Sequence, residues 1–344
     1  MDAKDAMRGT ARELVAKGKG ILAADESSGT IEKRFDQIGV DSTERNRRDY
    51  RQLLFTTPGL GEHISGVILF DETIRQSTDD GTSLTEVLEK AGLIPGIKVD
   101  TGAKPLALFE GETVTEGLDG LRERLAEYRE LGARFAKWRA TYFIGEGLPT
   151  DFAVLANGHA MARYAALCQG AGIVPIVEPE VLMDGDHDIS ACEDATGRAL
   201  QALYEQMTGH RVDLGATLLK VNMVVPGKDA ATQADDATIA EATLRTLRAH
   251  VPEEVPGIVF LSGGMTDEEA TSRLNEINRL DGVPWQISFS YGRALQQAPL
   301  QAWRGDASHV EAAQAALAHR ARMNGLARNG EWSPEMEESS RRGR

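Results

Sequence analysis

Short apolar runs rich in β-branched residues recur along the chain and alternate with longer stretches whose apolar positions fall at helical spacing. The short runs cover 20–25, 65–70, 96–100, 134–139, 173–180, 217–223, 258–262 and 285–290. Their starts fall roughly every 30 to 45 residues, the spacing of repeated strand–helix units. Between them, 42–54 opens with Ser and Thr and soon turns acidic. The stretch 117–131 carries Leu118, Leu121, Leu125 and Tyr128 on one helical face, and 157–170 and 188–207 read alike. Thr266-Asp-Glu-Glu269 is a capping box that opens an amphipathic run to Asn278, and 309–323 is an Ala-rich final helix. Strands alternating with helices in this way predict a (β/α)₈ TIM barrel, one α/β domain covering 1–330. A doubly wound open sheet is the competing arrangement, but no dinucleotide-type glycine fingerprint follows the first strand. The stretch 331–344, rich in Glu, Ser and Arg, is expected to be a disordered tail.

Composition narrows the partners. The formal net charge of −15 disfavours nucleic acid and anionic membrane. No apolar run is long enough to span a bilayer, and the mixed-charge N-terminus lacks a secretory core. Cys168 and Cys192, in neither a metal-type nor a redox-type spacing, fit a reducing compartment, so a cytoplasmic location is expected. An anionic substrate would need positive charge gathered locally against the field of the whole chain.

That gathering is visible where the strands end, the place where barrels carry their chemistry. The first strand ends in Asp25-Glu26-Ser27 and the third in Lys98-Val-Asp100. The fourth carries Lys137-Trp-Arg139, the fifth Glu178-Pro-Glu180, and the sixth Lys220-Val-Asn222. The seventh ends in Ser262-Gly-Gly264 and the eighth in Ser288-Phe-Ser290-Tyr-Gly-Arg293. Residues two apart on a strand share a face. Polar side chains there would meet helices if they pointed outward, so they are expected to point into one mouth.

Lys220, at the end of an apolar segment, is the most informative of them. Burial favours a neutral amine, and the neutral amine is the nucleophile that forms a Schiff base with a carbonyl. Lys137 brings a second positive charge to it, and Glu178 and Glu180 supply proton transfer. An ion-pair network that merely holds the strand ends is the alternative, but it leaves the anion-binding features unused. Ser262-Gly263-Gly264 precedes the capped helix at Thr266, so backbone N–H groups and the helix dipole converge there. Arg293 follows the eighth strand, and loops after strands seven and eight commonly bind phosphate. A second basic set, Lys33, Arg34, Lys98 and Arg139 with Ser27 and Thr30 nearby, is expected across the mouth from Arg293. Two cationic clusters flanking a reactive amine suit a substrate with phosphate at both ends. Asp184-Gly-Asp-His-Asp188 reads as a turn rather than a metal site, and no cofactor motif is present.

These runs resemble class I fructose-bisphosphate aldolases, the Schiff-base type. They include Gly-Lys-Gly-Ile-Leu-Ala-Ala-Asp25-Glu-Ser, Glu44-Arg-Asn-Arg-Arg48, Gly96-Ile-Lys98-Val-Asp, Phe135-Ala-Lys137-Trp-Arg139, Ile176-Val-Glu178-Pro-Glu180, Thr217-Leu-Leu-Lys220, Leu261-Ser-Gly-Gly264 and Phe289-Ser-Tyr-Gly-Arg293. The resemblance implies that Lys220 forms the Schiff base, that Glu178 dehydrates the carbinolamine with Glu180 as its partner, and that Asp25 handles the C4 hydroxyl proton. It implies that Lys137 is the electrostatic partner of the nucleophile. Ser262, Gly263, Gly264, Ser290 and Arg293 match the phosphate site near the ketone end. Arg34, with Lys98, Arg139, Ser27 and Lys33, matches the other phosphate region. The implied reaction is reversible cleavage of fructose 1,6-bisphosphate to dihydroxyacetone phosphate and glyceraldehyde 3-phosphate in glycolysis and gluconeogenesis, by a homotetramer without metal or cofactor. Val221 stands where familiar members have proline. Familiar animal members end in a tyrosine used in proton exchange, whereas this chain ends Glu338-Ser-Ser-Arg-Arg-Gly-Arg344. A zinc-dependent aldolase, a Schiff-base aldolase of a monophosphate, and a silent sugar-phosphate binder are the rival readings.

Overall fold

The computed structural model describes residues 3–341, with side chains as far as Glu337. Eight parallel strands close into a barrel in chain order: β1 (Gly20–Ala24), β2 (Ile64–Leu69), β3 (Ile94–Lys98), β4 (Phe135–Tyr142), β5 (Val174–Val181), β6 (Leu218–Val221), β7 (Gly257–Phe260) and β8 (Gln286–Tyr291). β1 pairs with both β2 and β8, which completes the circle. The strands are apolar along both faces because each is covered by side chains inside and helices outside.

The expected helices are present with shifted ends, as Glu44–Phe55, Leu121–Glu130, Asp151–Gly170, Ile189–Gly209, Asp267–Arg279 and Val310–Ala327. Their N-caps explain several starts. Thr43, Thr150, Asp188 and Thr266 each accept a backbone N–H three residues on, and Thr266 completes the capping box with Glu269. Helices Ser28–Asp36, Asp236–His250 and Arg293–Trp303 and a hairpin, Gly102–Pro105 with Thr113–Glu116, lie outside the sequence expectation.

So does the helix Ala3–Leu14, which closes the lower end of the barrel. Its Met7, Ala11 and Leu14 share a buried cluster with Ile21, Ile68, Phe135, Val174, Leu218 and Val259, the inward residues of the strands. Each buried Met, Leu, Ile, Val or Phe side chain there contributes about 1.5–3 kcal/mol by leaving water. Phe135 fills the lower layer because Gly96 leaves it room: a Cβ on Gly96 would sit 2.3 Å from the ring. Alternate residues on the same strands, such as Leu22, Trp138, Val177 and Leu219, belong to the outer core beneath the helices. Toward the upper end the inward series turns polar, through Asp25, Lys98, Lys137, Glu178 and Lys220.

Within the stretch 331–344, expected to be disordered, the described residues form a helix at Pro334–Arg341. The buried Glu337 carboxylate accepts from Arg320 Nη1 (2.6 Å) and Trp332 Nε1 (3.2 Å) and lies 2.7 Å from His319 Nε2. A polar composition suggests disorder only while its charges lack partners, and these partners come from the helix before it. Residues 342–344 lie outside the described region. No helix of the described residues is long and apolar enough to cross a membrane.

Candidate active site

The upper mouth holds a cavity of about 290 Å³. The expected residues Asp25, Ser27, Arg34, Lys98, Lys137, Arg139, Glu178, Glu180, Lys220, Ser262, Gly263, Ser290 and Arg293 all line it. Two expected residues do not. Lys33 is exposed on the helix Ser28–Asp36, and Gly264 is an exposed residue of the turn after Gly263.

The centre is a chain of buried charges. Lys220 Nζ lies 3.1 Å from Glu178 Oε1, and Lys137 Nζ lies 3.3 Å from Glu178 Oε2 and 2.7 Å from Asp25 Oδ2. Lys220, Glu178 and Lys137 are each no more than 5% exposed. Strand geometry assembles them. Lys137 stands opposite Lys98, and Arg139 opposite Glu178, in the β3–β4–β5 register. Burial pushes the Asp25 carboxyl up, but Lys137 and Lys220 outweigh it and hold Asp25 well below the usual range. Burial likewise pushes Glu178 up, and Lys220, Lys137 and Arg139 bring it down. For Lys137 the balance runs the other way: burial lowers it, and Asp25 and Glu178 raise it further. The centre therefore contains two carboxylates and a fixed ammonium around one further amine.

Two outer cations are tied to acids. Lys98 Nζ is 2.7 Å from Asp100 Oδ1, and Arg139 Nε donates to Glu180 Oε2. The first pair arises because Asp100 lies just beyond the end of β3, where its side chain can fold back.

Anion-binding capacity sits in two adjoining loops. Gly264 has φ +77°, and a Cβ there would sit 2.1 Å from Met183 Sδ, so this turn accepts no side chain. The helix after it is closed by its own capping box, as described above. By contrast, helix Arg293–Trp303 begins at Gly292 with no side-chain cap, and Ala294 N makes only a long 3.5 Å contact with Ser262 Oγ. Helix Ser28–Asp36 also lacks a side-chain cap, since Ser27 Oγ turns to Thr30 Oγ1 at 3.1 Å. Both uncapped N-termini face the mouth with their positive dipole ends. Ser290 Oγ is buried among these groups without a hydrogen-bond partner.

Arg34 reaches the loop that precedes Arg293: a Cβ on Gly292 would be 3.7 Å from Arg34 Nη2. Barrel closure makes β1 and β8 neighbours, so the loops after them adjoin. The groups that sequence reasoning left unused are Glu26, Arg51 and Gln296. Glu26 pairs with Arg34 Nη1 and accepts from Arg51 Nη2 at 2.6 Å and from Gln296 Nε2 at 2.7 Å. Glu26 sits in the recognised strand end, but Arg51 and Gln296 come from helices 25 and 270 residues away along the chain.

The loop Asp184–Asp188 is engaged structurally. Asp188 caps the helix after it, and Asp184 pairs with Lys228. A second cleft of about 480 Å³ lies beneath the barrel. Its Arg8 is neutralised by Asp213 at 3.0 Å, which leaves no comparable reactive centre there.

Residues 6–344 match the family model described as fructose-bisphosphate aldolase class-I, glycolytic. A probable fructose-bisphosphate aldolase class 1 of Xanthomonas campestris is 55% identical over 324 residues, 94% of this chain and 97% of the relative. Fructose-bisphosphate aldolase 2 of Caenorhabditis elegans is 50% identical over 333 residues, 96% of this chain and 91% of the relative. Among solved structures, the aldolase of Plasmodium falciparum, crystallised with TRAP and a small-molecule inhibitor, is 45% identical and superimposes with a TM-score of 0.96. That match covers 97% of this chain and 96% of the other.

Proposed function

The chain belongs to the class I fructose-bisphosphate aldolases, carbon–carbon lyases of glycolysis, and on that basis we propose how its own residues divide the work. The observation that carries the assignment is the ion pair between Lys220 and Glu178 inside the mouth. Lys220 Nζ gives its proton to Glu178 and attacks the C2 ketone of fructose 1,6-bisphosphate. Glu178 returns the proton to the carbinolamine oxygen, which leaves as water, and a protonated imine remains. Asp25 then takes the C4 hydroxyl proton. The C4–O electrons form the aldehyde, the C3–C4 bond breaks, and its electron pair enters the imine as an enamine. Glyceraldehyde 3-phosphate leaves. Protonation of the enamine at C3 and hydrolysis of the imine release dihydroxyacetone phosphate.

Lys137 keeps Asp25 and Glu178 ionised between turnovers, and Glu180 holds Arg139 in line. Ser262, Gly263, Ser290 and Arg293 take the phosphate next to the ketone, with Arg34 at the edge of that corner and Gly264 shaping the turn. Ser27 and the uncapped helix it opens take the other phosphate, with Lys98 and Arg139 beside it. Binding energy at both ends fixes the reacting carbons over the amine.

The chain is proposed to work as a homo-oligomer, a tetramer by resemblance. Leu108 is fully exposed at the hairpin end, and Phe152 and Leu155 are exposed on the neighbouring helix, with Phe109 stacked on Phe152 at 4.9 Å. Such a patch gains by burial against a copy of itself. A cytoplasmic location is supported by Cys168 and Cys192, both free and buried. A cytosolic aldolase of Arabidopsis thaliana is 54% identical over 308 residues.

The test is borohydride reduction in the presence of dihydroxyacetone phosphate, followed by peptide mass mapping. An adduct on Lys220 is expected; an adduct on Lys137 with Lys220 unmodified would overturn the assignment.

A further inference from the structure

Glu26 faces two arginines. Its Oε1 pairs with Arg34 Nη1 and accepts from Gln296 Nε2, and its Oε2 accepts from Arg51 Nη2 at 2.6 Å. One carboxylate therefore holds two guanidinium groups, and the cluster carries an excess positive charge. The two arginines differ in freedom. The Arg51 side chain is 3% exposed, whereas that of Arg34 is 20% exposed and borders the cavity. Arg51 is fixed further by Gln296, whose Oε1 accepts from Arg51 Nη1 at 3.3 Å. Gln296 Nε2 also donates to Ala23 O at 2.7 Å, two residues before Asp25. Gln296 lies in the first turn of the helix that begins at Arg293, so the cluster joins the loops after the first and last strands of the barrel.

We propose that Arg51 is a positioning residue for substrate phosphate: by holding Glu26, it leaves Arg34 free to turn from that carboxylate to the incoming anion. The inference rests on the placement of Arg34 at a phosphate corner under the proposed function. A buried carboxylate without a cation is costly, so whatever remains to neutralise Glu26 is held tightly. With Arg51 present, Arg34 can leave and Glu26 keeps a charge-assisted bond and the Gln296 amide. Without Arg51, the departure of Arg34 would strand the charge of Glu26, and Arg34 is locked in place. Arg34 thus exchanges one anion for another, and Arg51 sets how readily it does so.

The test uses the full chain, with fructose 1,6-bisphosphate kinetics and inorganic phosphate as a competitive probe. Arg34→Ala, Arg51→Met, Arg51→Lys and Arg51→Met combined with Glu26→Gln are compared. Arg51→Met is expected to raise KM and the phosphate inhibition constant about tenfold, the scale of one charge-assisted contact, with a smaller change in kcat. Arg51→Lys, which keeps the charge, recovers most of that loss. The double variant removes the stranded carboxylate as well, so its KM returns toward the parent value despite the second substitution. A purely structural role predicts the opposite, with damage accumulating in the double variant, and that result would overturn the proposal. Arg34→Ala separates the two levels. If it leaves KM and phosphate inhibition unmoved, the placement of Arg34 at a phosphate fails. If it raises both while Arg51→Met does not, the role of Arg51 alone fails. If Arg51→Met does not fold, the double variant and Arg51→Lys decide: KM within twofold of the parent for both supports the exchange, and equal large losses refute it.

Discussion

Glu178 Oε1 lies 3.1 Å from Lys220 Nζ, which puts the acid within reach of the amine before substrate arrives. A carboxylate so placed can take the proton that the amine must lose and return it to the carbinolamine. Glu178→Gln is therefore expected to slow imine formation by about 100-fold or more, the usual size of a general acid–base contribution. Rapid-quench trapping of the imine measures it. An unchanged rate of imine formation would remove Glu178 from that role.

Asp25 is 2.7 Å from Lys137 Nζ, and its proposed part is the bond-breaking step alone. Asp25→Asn should lose cleavage of the bisphosphate by about 100-fold or more while dihydroxyacetone phosphate is still trapped on Lys220. Mass spectrometry after borohydride reduction reads the second outcome. Loss of trapping together with cleavage would show that Asp25 acts earlier.

Lys137→Met leaves two buried carboxylates short of a cation. The expected cost is about 3 kcal/mol of stability, as for a broken buried ion pair. The pH dependence follows in sign. Asp25 and Glu178 are held below their ordinary range, so the stability they contribute is present above that range and is lost as pH falls through their lowered values. Without Lys137 that acid-side loss should move to higher pH. Urea unfolding across acid pH checks it, and an unmoved acid limb would contradict the coupling.

The C-terminal helix is clasped by charge. Burial pushes Glu337 up, but His319 and Arg320 hold it down at about 2, against an ordinary value of 4.5. Docking is complete above about 4.5 and is lost as pH falls toward 2. Asp267, raised by burial to about 6, works in the opposite sense: its contribution is full below 3.8 and is lost as pH rises through 6. Glu337→Gln should destabilise the protein by about 3 kcal/mol near neutrality and flatten the acid-side loss. Emission from Trp332, which bonds to Glu337, reports the undocking. A variant that keeps the full acid-side loss would count against the clasp.

The placement of Lys33 outside the cavity lining is testable in the same way. Lys33 is exposed outside the cavity lining, so Lys33→Ala should leave KM within about twofold, the scale of an exposed charge at a distance. Gly264→Ala, which meets Met183 and a positive φ, should raise KM and cost about 1 kcal/mol or more. Steady-state kinetics and thermal unfolding separate the two variants. A large KM effect at Lys33 would bring it back into the site.

The strand ends were legible because period two forces polar residues on a buried strand toward one side. Lys137 and Arg139, or Glu178 and Glu180, had only one place to point. The approach of Arg34 to the Gly292 loop leaves no sequence signal, because the two lie far apart along the chain and only the circular closure sets β1 beside β8. The role of Arg51 left no local signal: its partner Glu26 lies on another element, and a helix rich in arginine reads as solvated. The docking of Pro334–Arg341 was hidden for the same reason, since Glu337 finds its cations on Val310–Ala327.

The helix Ala3–Leu14 stoppers the barrel from below, on the face opposite the reactive amine. Handling the protein through that end, with an affinity tag or a surface tether ahead of Ala3, therefore keeps traffic to the opening clear. Cutting the first turns away to tidy the terminus would instead unplug Met7, Ala11 and Leu14 and let water in beneath the charged centre.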